Sequence, residues 1–153
     1  MSRPVIRAAI NSDQDVVRAL IFSVLDEYDI DPAPKTTDRD LYGLEAYYHD
    51  GMFAVMENSD GDIIGTVGLA PLSATVCELR KMYLKPGDRG KGLGGKLLNH
   101  AIARARTLGF SRIELNTKRI MEEAIGLYTK HGFVLVDGAP VDQRCDKVLV
   151  LDL

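Results

Sequence analysis

Between Asp88 and Lys96 the chain reads Asp-Arg-Gly-Lys-Gly-Leu-Gly-Gly-Lys, placing Gly90, Gly92, Gly94 and Gly95 among the cations Arg89, Lys91 and Lys96. Glycine lets backbone come close to a ligand that any side chain would hold off. At the start of a helix, unpaired amides and the positive end of the helix dipole attract phosphate. From Arg80 to Lys96 the cations Arg80, Lys81, Lys85, Arg89, Lys91 and Lys96 face the single acid Asp88. The chemistry offered is capture of a small anion.

Two anion loops match in part. Gly90, Gly92 and Gly95 spell the dinucleotide pattern G-x-G-x-x-G, with Glu114 as the downstream acid. That pattern opens directly after a strand, whereas Lys85-Pro86-Gly87-Asp88-Arg89 intervene here, and too little chain follows for a second nucleotide-binding half. Gly90, Gly95 and Lys96 approach a P-loop, yet Leu97 stands where Ser or Thr must hold magnesium. A glycine turn built for packing alone leaves the flanking Arg and Lys unexplained.

The elements that position this loop follow from periodicity. Val5 to Ile10 is a strand; Asn11-Ser12-Asp13 caps a helix to about Tyr28, with Val16, Val17, Leu20, Ile21, Val24 and Leu25 on one face. Pro32 and Pro34 make Asp29 to Thr37 a loop, and Thr37 to Asp40 caps a second helix carrying Leu41, Leu44, Tyr47 and Tyr48. Phe53–Met56 and Ile63–Leu69 flank the turn Asn58-Ser59-Asp60-Gly61, and Cys77–Leu84 completes an antiparallel meander. Leu93, Leu97, Leu98, Ala101, Ile102, Ala105 and Leu108 share a helix face that Gly109 ends. Arg112–Asn116 is a strand, Met121–Lys130 a helix, and Phe133–Val136 and Lys147–Leu151 are closing strands. Strand, loop, helix and strand from Cys77 to Asn116 make a right-handed crossover between parallel neighbours.

Composition limits the function. A chain of 153 residues, 46% hydrophobic and 27% charged, suits one domain over residues 1–153. A formal net charge of -3 argues against nucleic acid, which requires a basic face. Cys77 and Cys145 form no CxxC pair, so neither a disulfide framework nor a metal site is expected. With no signal-like N-terminus and no apolar run of about 18 residues, the expected location is the cytoplasm, away from membranes.

Arg89-x-x-Gly92-x-Gly94, behind a strand ending Leu-x-Pro and ahead of a long amphipathic helix, resembles the pyrophosphate loop of the GNAT superfamily of acyl-CoA-dependent N-acyltransferases. Leu127-Tyr128-x-x-x-Gly132-Phe133 resembles a second motif of that family in the right order, and the resemblance spans essentially the whole chain. It implies an α/β (α+β) fold: a mixed, mostly antiparallel sheet whose central parallel pair splays around the cofactor, flanked by four helices. It also implies acetyl-CoA as co-substrate, held by Met82, Tyr83 and Leu84, by residues 89 to 95 (Arg89, Gly90, Lys91, Gly92, Leu93, Gly94, Gly95), by Asn116 and by Tyr128. Many members carry Asn at the start of the last helix, where Met121 stands here.

The same resemblance gives roles for the transfer to an amine. Glu78 stands eleven residues before Arg89, the offset of a catalytic glutamate in family members that modify histones. It is a candidate base for the ammonium, or else half of an ion pair with Arg80. Tyr128 matches the tyrosine placed beside the thioester sulfur, as proton donor to the leaving thiolate; otherwise it is an apolar-face residue. For the acceptor, Tyr28, Arg80 and Arg144 are the candidate contacts, with either arginine able to hold a carboxylate. Asp29 and Asp31 read as solvated loop acids. The expected activity is acetylation of a primary amine on a small-molecule or amino-acid-like metabolite; protein lysine or N-terminal acetylation and a non-catalytic acetyl-CoA sensor are the alternatives. Homodimers are common in the family.

Overall fold

The computed structural model describes residues 3–117, 122–136 and 147–153 of the chain. Its elements are β1 (Val5–Ala8), α1 (Gln14–Glu27), α2 (Leu44–Tyr47), β2 (Met52–Glu57), β3 (Ile63–Pro71), β4 (Val76–Leu84), α3 (Leu93–Thr107), β5 (Arg112–Thr117), α4 (Glu122–Lys130), β6 (Val134–Leu135) and β7 (Lys147–Asp152). The strands form one sheet in the order β1-β2-β3-β4-β5-β7-β6. Its pairs are antiparallel apart from β4 and β5, which run parallel.

Strands β2 and β3 are apolar almost without a break because both faces of the sheet are covered. On one face Met52, Ala54 and Met56 join Leu97, Leu98 and Ala101 of α3; on the other Phe53 and Val55 join Leu20, Ile21, Val24 and Leu25 of α1. Alternation along β2 sorts its side chains between two cores. Val16, on the expected stripe of α1, is exposed instead.

The parallel pairing is short. It runs from Val76 opposite Arg112 to Leu79 opposite Leu115 and ends there. Beyond that point β4 stays with β3 while β5 stays with β7, so the sheet splits into a V. A bulge lies at the split: Lys81 and Met82 together oppose Val67, and Lys81 has φ 54°. The buried Thr66 hydroxyl donates to the Lys81 carbonyl at 2.7 Å and ties down the irregular backbone. The extra residue reverses the alternation. Cys77 and Leu79, then Met82 and Leu84, serve the α3 core, while Tyr83 packs against the α1 core and Arg80 and Lys81 both reach the Thr37 carbonyl.

The expected second helix is broken in two. Arg39–Tyr42 is a 3-10 segment and Leu44–Tyr47 a single α-helical turn, separated by Gly43. Asp38 and Asp40 are completely buried and turned toward Lys81, so they bind a cation instead of capping a regular helix. Other elements cap the segment: the Leu44 amide donates to Gln14 Oε1 at 2.8 Å and the Glu45 amide to Asn11 Oδ1 at 3.1 Å.

Candidate active site

The V between β4 and β5 opens into a cavity of about 650 Å³. The glycine loop lines it through Gly90, Gly92, Gly94 and Gly95. Gly90 and Gly92 have φ of 77° and 79°, a region open to glycine without strain, and a Cβ at either would meet nothing within 4 Å. Gly92 is the N-cap of α3, and that helix start carries neither a side-chain cap nor an acid in its first turn. Its amides and dipole are therefore left for an anion in the cleft. Gly94 is needed for closeness, since a Cβ there would stand 3.1 Å from Leu127 on α4. Backbone donors, a positive helix end and apolar walls from Leu84, Leu97 and Leu127 fit a pyrophosphate followed by an uncharged arm.

Of the residues expected to hold the cofactor, Met82, Tyr83, Leu84, Arg89, Gly90, Gly92, Gly94, Gly95, Asn116 and Tyr128 all line this cavity. Two send their side chains elsewhere: Lys91 is exposed, 3.6 Å from Asp88, and Leu93 is buried in the α3 core. The Arg89 guanidinium joins α1 to β4. It pairs with both oxygens of Glu27 at 2.8 and 3.0 Å and donates to the Leu84 carbonyl, clasping the end of α1 to the end of β4. Met121 and Arg144 lie outside the described residues.

Glu78 on β4 and Tyr128 on α4 line the same cavity. Arg80 donates to Glu78 Oε1 at 2.9 Å and Asn116 Nδ2 to Oε2 at 2.6 Å, so the ion pair with Arg80 is formed and the carboxylate still borders the cleft. Tyr128 is 6% exposed, its ring packed on Phe133 with centroids 5.8 Å apart. Burial, assisted by neighbouring Tyr83, holds its proton well above the ordinary tyrosine value. At neutral pH its hydroxyl is thus in the donor form.

On the acceptor side Tyr28, Thr36, Thr37, Tyr47 and Arg80 form the wall, while Asp29 and Asp31 are exposed away from it. Arg80 lies under Tyr47, its guanidinium carbon 5.8 Å from the ring centroid. It is already committed to Glu78, to the Thr37 carbonyl at 2.8 Å and to Asp40 at 3.6 Å. Beneath it lies a group that sequence reasoning missed. Lys81 Nζ sits 3.3 Å from both Asp38 and Asp40, and the Tyr48 hydroxyl donates to Asp40 Oδ2. Burial pushes the Lys81 ammonium below the usual lysine value, opposed by Asp40 and Asp38, while burial and the Asp40 charge push Tyr48 up. The available signal was a lysine at a buried strand position, which demands a carboxylate partner.

Residues 19–133 match the family model described as the Acetyltransferase (GNAT) family. The chain belongs to that family. It is an N-acetyltransferase, and the acetyl donor of its reaction is acetyl-CoA. YjgM, an uncharacterised N-acetyltransferase of Escherichia coli (strain K12), is 36% identical over 142 residues, spanning 89% of this chain and 85% of that protein. A GNAT-family acetyltransferase structure from Staphylococcus aureus Mu50 superposes with a TM-score of 0.90 at 23% identity, covering 98% of this chain and 99% of that one. The structure of yncA, a putative acetyltransferase from Salmonella typhimurium with its cofactor acetyl-CoA, gives a TM-score of 0.78 at 23% identity over 99% and 94% of the two chains. The mixed sheet with its single parallel pair among the described strands, and four flanking helices, is the fold expected from the resemblance.

Proposed function

We propose that this GNAT enzyme acetylates the primary amine of a small, amino-acid-like metabolite. The observation that carries this reading is that Glu78, Tyr128 and the glycine loop border one cavity, whose size lies within the ~300–1,000 Å³ range of small-molecule sites. Acetyl-CoA supplies the acetyl group as an activated thioester. The amides of residues 89–95 and the N-terminus of α3 hold its anionic end, and Met82–Leu84 of β4, beyond the end of the ladder with β5, line the path of its arm.

Glu78 serves as the base. A lysine-like amine has a pKa near ~10.4 and reaches the site as an ammonium, which must lose a proton before its lone pair can attack. Two acceptor positions of Glu78 are taken by Arg80 and Asn116, and a carboxylate has about four. The remaining lone pairs can bind the ammonium and take its proton. Tyr128, kept protonated by burial, donates to the sulfur as negative charge develops there.

Thiol release from acetyl-CoA across a panel of amines, amino acids and peptides tests this. Small amines should turn over and peptides should not; turnover confined to peptides would transfer the site to a protein substrate. Cofactor binding without release above hydrolysis would make the chain a sensor. In the responsive assay Glu78→Gln should lower kcat by roughly 10²-fold or more, the usual contribution of a general base.

A further inference from the structure

The expected role of Asn116 is a cofactor contact, but its side chain is occupied with the carboxylate of Glu78. Asn116 Nδ2 donates to Glu78 Oε2 at 2.6 Å, while Arg80, on Glu78's own strand, donates to Oε1 at 2.9 Å. Each oxygen is thus held from a different arm of the V. The location matters as well. Glu78 is in register with Glu114, one residue before the parallel ladder ends at Leu79 and Leu115, and Asn116 is the first residue of β5 past that end. Where backbone pairing stops, a side-chain hydrogen bond closes the V in its place.

The two donors differ in what they do to a base. Arg80 brings a full positive charge to the carboxylate at 2.9 Å. Asn116 fixes the second oxygen with a neutral amide, so it adds direction without a second cation. Arg80 is also shared. Its Nε is buried without a hydrogen-bond partner, 3.6 Å from Asp40, while its other nitrogens serve Glu78 and the Thr37 carbonyl. A guanidinium pulled between two carboxylates cannot alone set the angle of either, and the amide from β5 supplies the missing constraint.

We propose that Asn116 is a positioning residue that holds the Glu78 carboxylate toward the acceptor amine from across the split sheet, with Arg80 holding it from the other side. This rests on the reading of Glu78 as the base. The test compares Asn116→Ala, Glu78→Gln and the double variant, using acetyl-CoA with the amine of the panel that turns over fastest. Asn116 is exposed, so its replacement should leave the thermal midpoint near wild type.

Asn116→Ala is expected to lower kcat about tenfold, as a misdirected reacting group does, and to leave calorimetric affinity for acetyl-CoA within about twofold. In the Glu78→Gln background it should cost nothing further, because a residue acting through another loses its effect when that other is gone. Asn116→Gln, which keeps an amide donor, should recover part of kcat. Full kcat with about tenfold weaker acetyl-CoA binding in Asn116→Ala overturns the proposal and returns Asn116 to the cofactor; additive losses in the double variant overturn it too. Wild-type turnover in Glu78→Gln instead removes the base on which it rests, and that result is visible without any Asn116 variant.

Discussion

The two halves of the cleft recognise by opposite means. The donor half is made of main chain: glycines with positive φ, uncapped amides at the start of α3, and apolar walls from Leu84, Leu97 and Leu127. The acceptor half is made of charge: Glu78, Arg80, Lys81, Asp38 and Asp40, with the Tyr48 hydroxyl, packed so closely that Asp38, Asp40 and Lys81 are all buried. A backbone site needs room, and a substitution there costs what it does to the local φ or to the ligand. A buried charge cluster is mutually dependent, so removing one member leaves another unpaired in a low-dielectric interior. The difference predicts a donor half whose variants fold but bind poorly and an acceptor half in which loss of a buried charge, Asp38, Asp40 or Lys81, lowers stability first.

The largest effect should come from Asp40→Ala. It strips Lys81, Arg80 and Tyr48 of a shared partner and should destabilise by about 3–5 kcal/mol, read as a large drop in thermal midpoint. A near-wild-type midpoint would break the comparison at its strongest point. Tyr48→Phe keeps the ring against Phe53 and Tyr47 and removes only the donor to Asp40. Hydrogen bonds to charged groups contribute about 1.5–3 kcal/mol, so its urea midpoint should fall by a corresponding, smaller amount.

On the donor side Gly92→Ala should cost about 1–2 kcal/mol through its left-handed φ, since the added methyl meets no neighbour. The loss that marks the donor half is in binding. Calorimetry should show acetyl-CoA affinity falling while kcat at saturating acetyl-CoA changes little. Unchanged affinity would mean that the helix start is not where the anion sits.

This division also explains what was legible in the chain itself. Recognition by backbone leaves glycines and a following amphipathic helix, which is why Gly90 to Gly95 and the helix stopped by Gly109 could be read directly. The pairing of Glu78 with Arg80 was legible as one of two alternatives because the two residues are neighbours on one strand face. Recognition by buried charge leaves only residues far apart in sequence whose encounter depends on the finished fold. Asp38 and Asp40 looked like helix caps, and nothing local says that Lys81 lies opposite them. The bulge was equally silent: a lysine at φ 54° has no sequence signature, so Cys77 to Leu84 read as one regular strand. Arg80 also read as a contact for an acceptor carboxylate because its further partners at Thr37 and Asp40 arrive from a different element.

The smallest effect is the one that separates two buried tyrosines. Tyr128 and Tyr48 both have folded-state pKa values above the ordinary 10.0, each raised first by burial. Below pH 10 folded and unfolded chains alike keep these protons, so neither tyrosine makes stability depend on pH there. Above pH 10 the unfolded chain releases protons that the folded chain retains, and stability must fall as pH rises, by at most about 1.4 kcal/mol per unit for each tyrosine. Tyr128→Phe keeps the ring packed on Phe133 and should match the wild-type urea midpoint at pH 8. At pH 11 it should lose less stability than wild type, because one of the two groups has gone. Tyr48→Phe should also lose less on alkalinisation but begin from a lower midpoint at pH 8, since only Tyr48 spends its hydroxyl on a buried carboxylate. Equal midpoints for the two variants at pH 8 would mean that the Asp40 cluster does not depend on its tyrosine, leaving Lys81 and Arg80 to hold it.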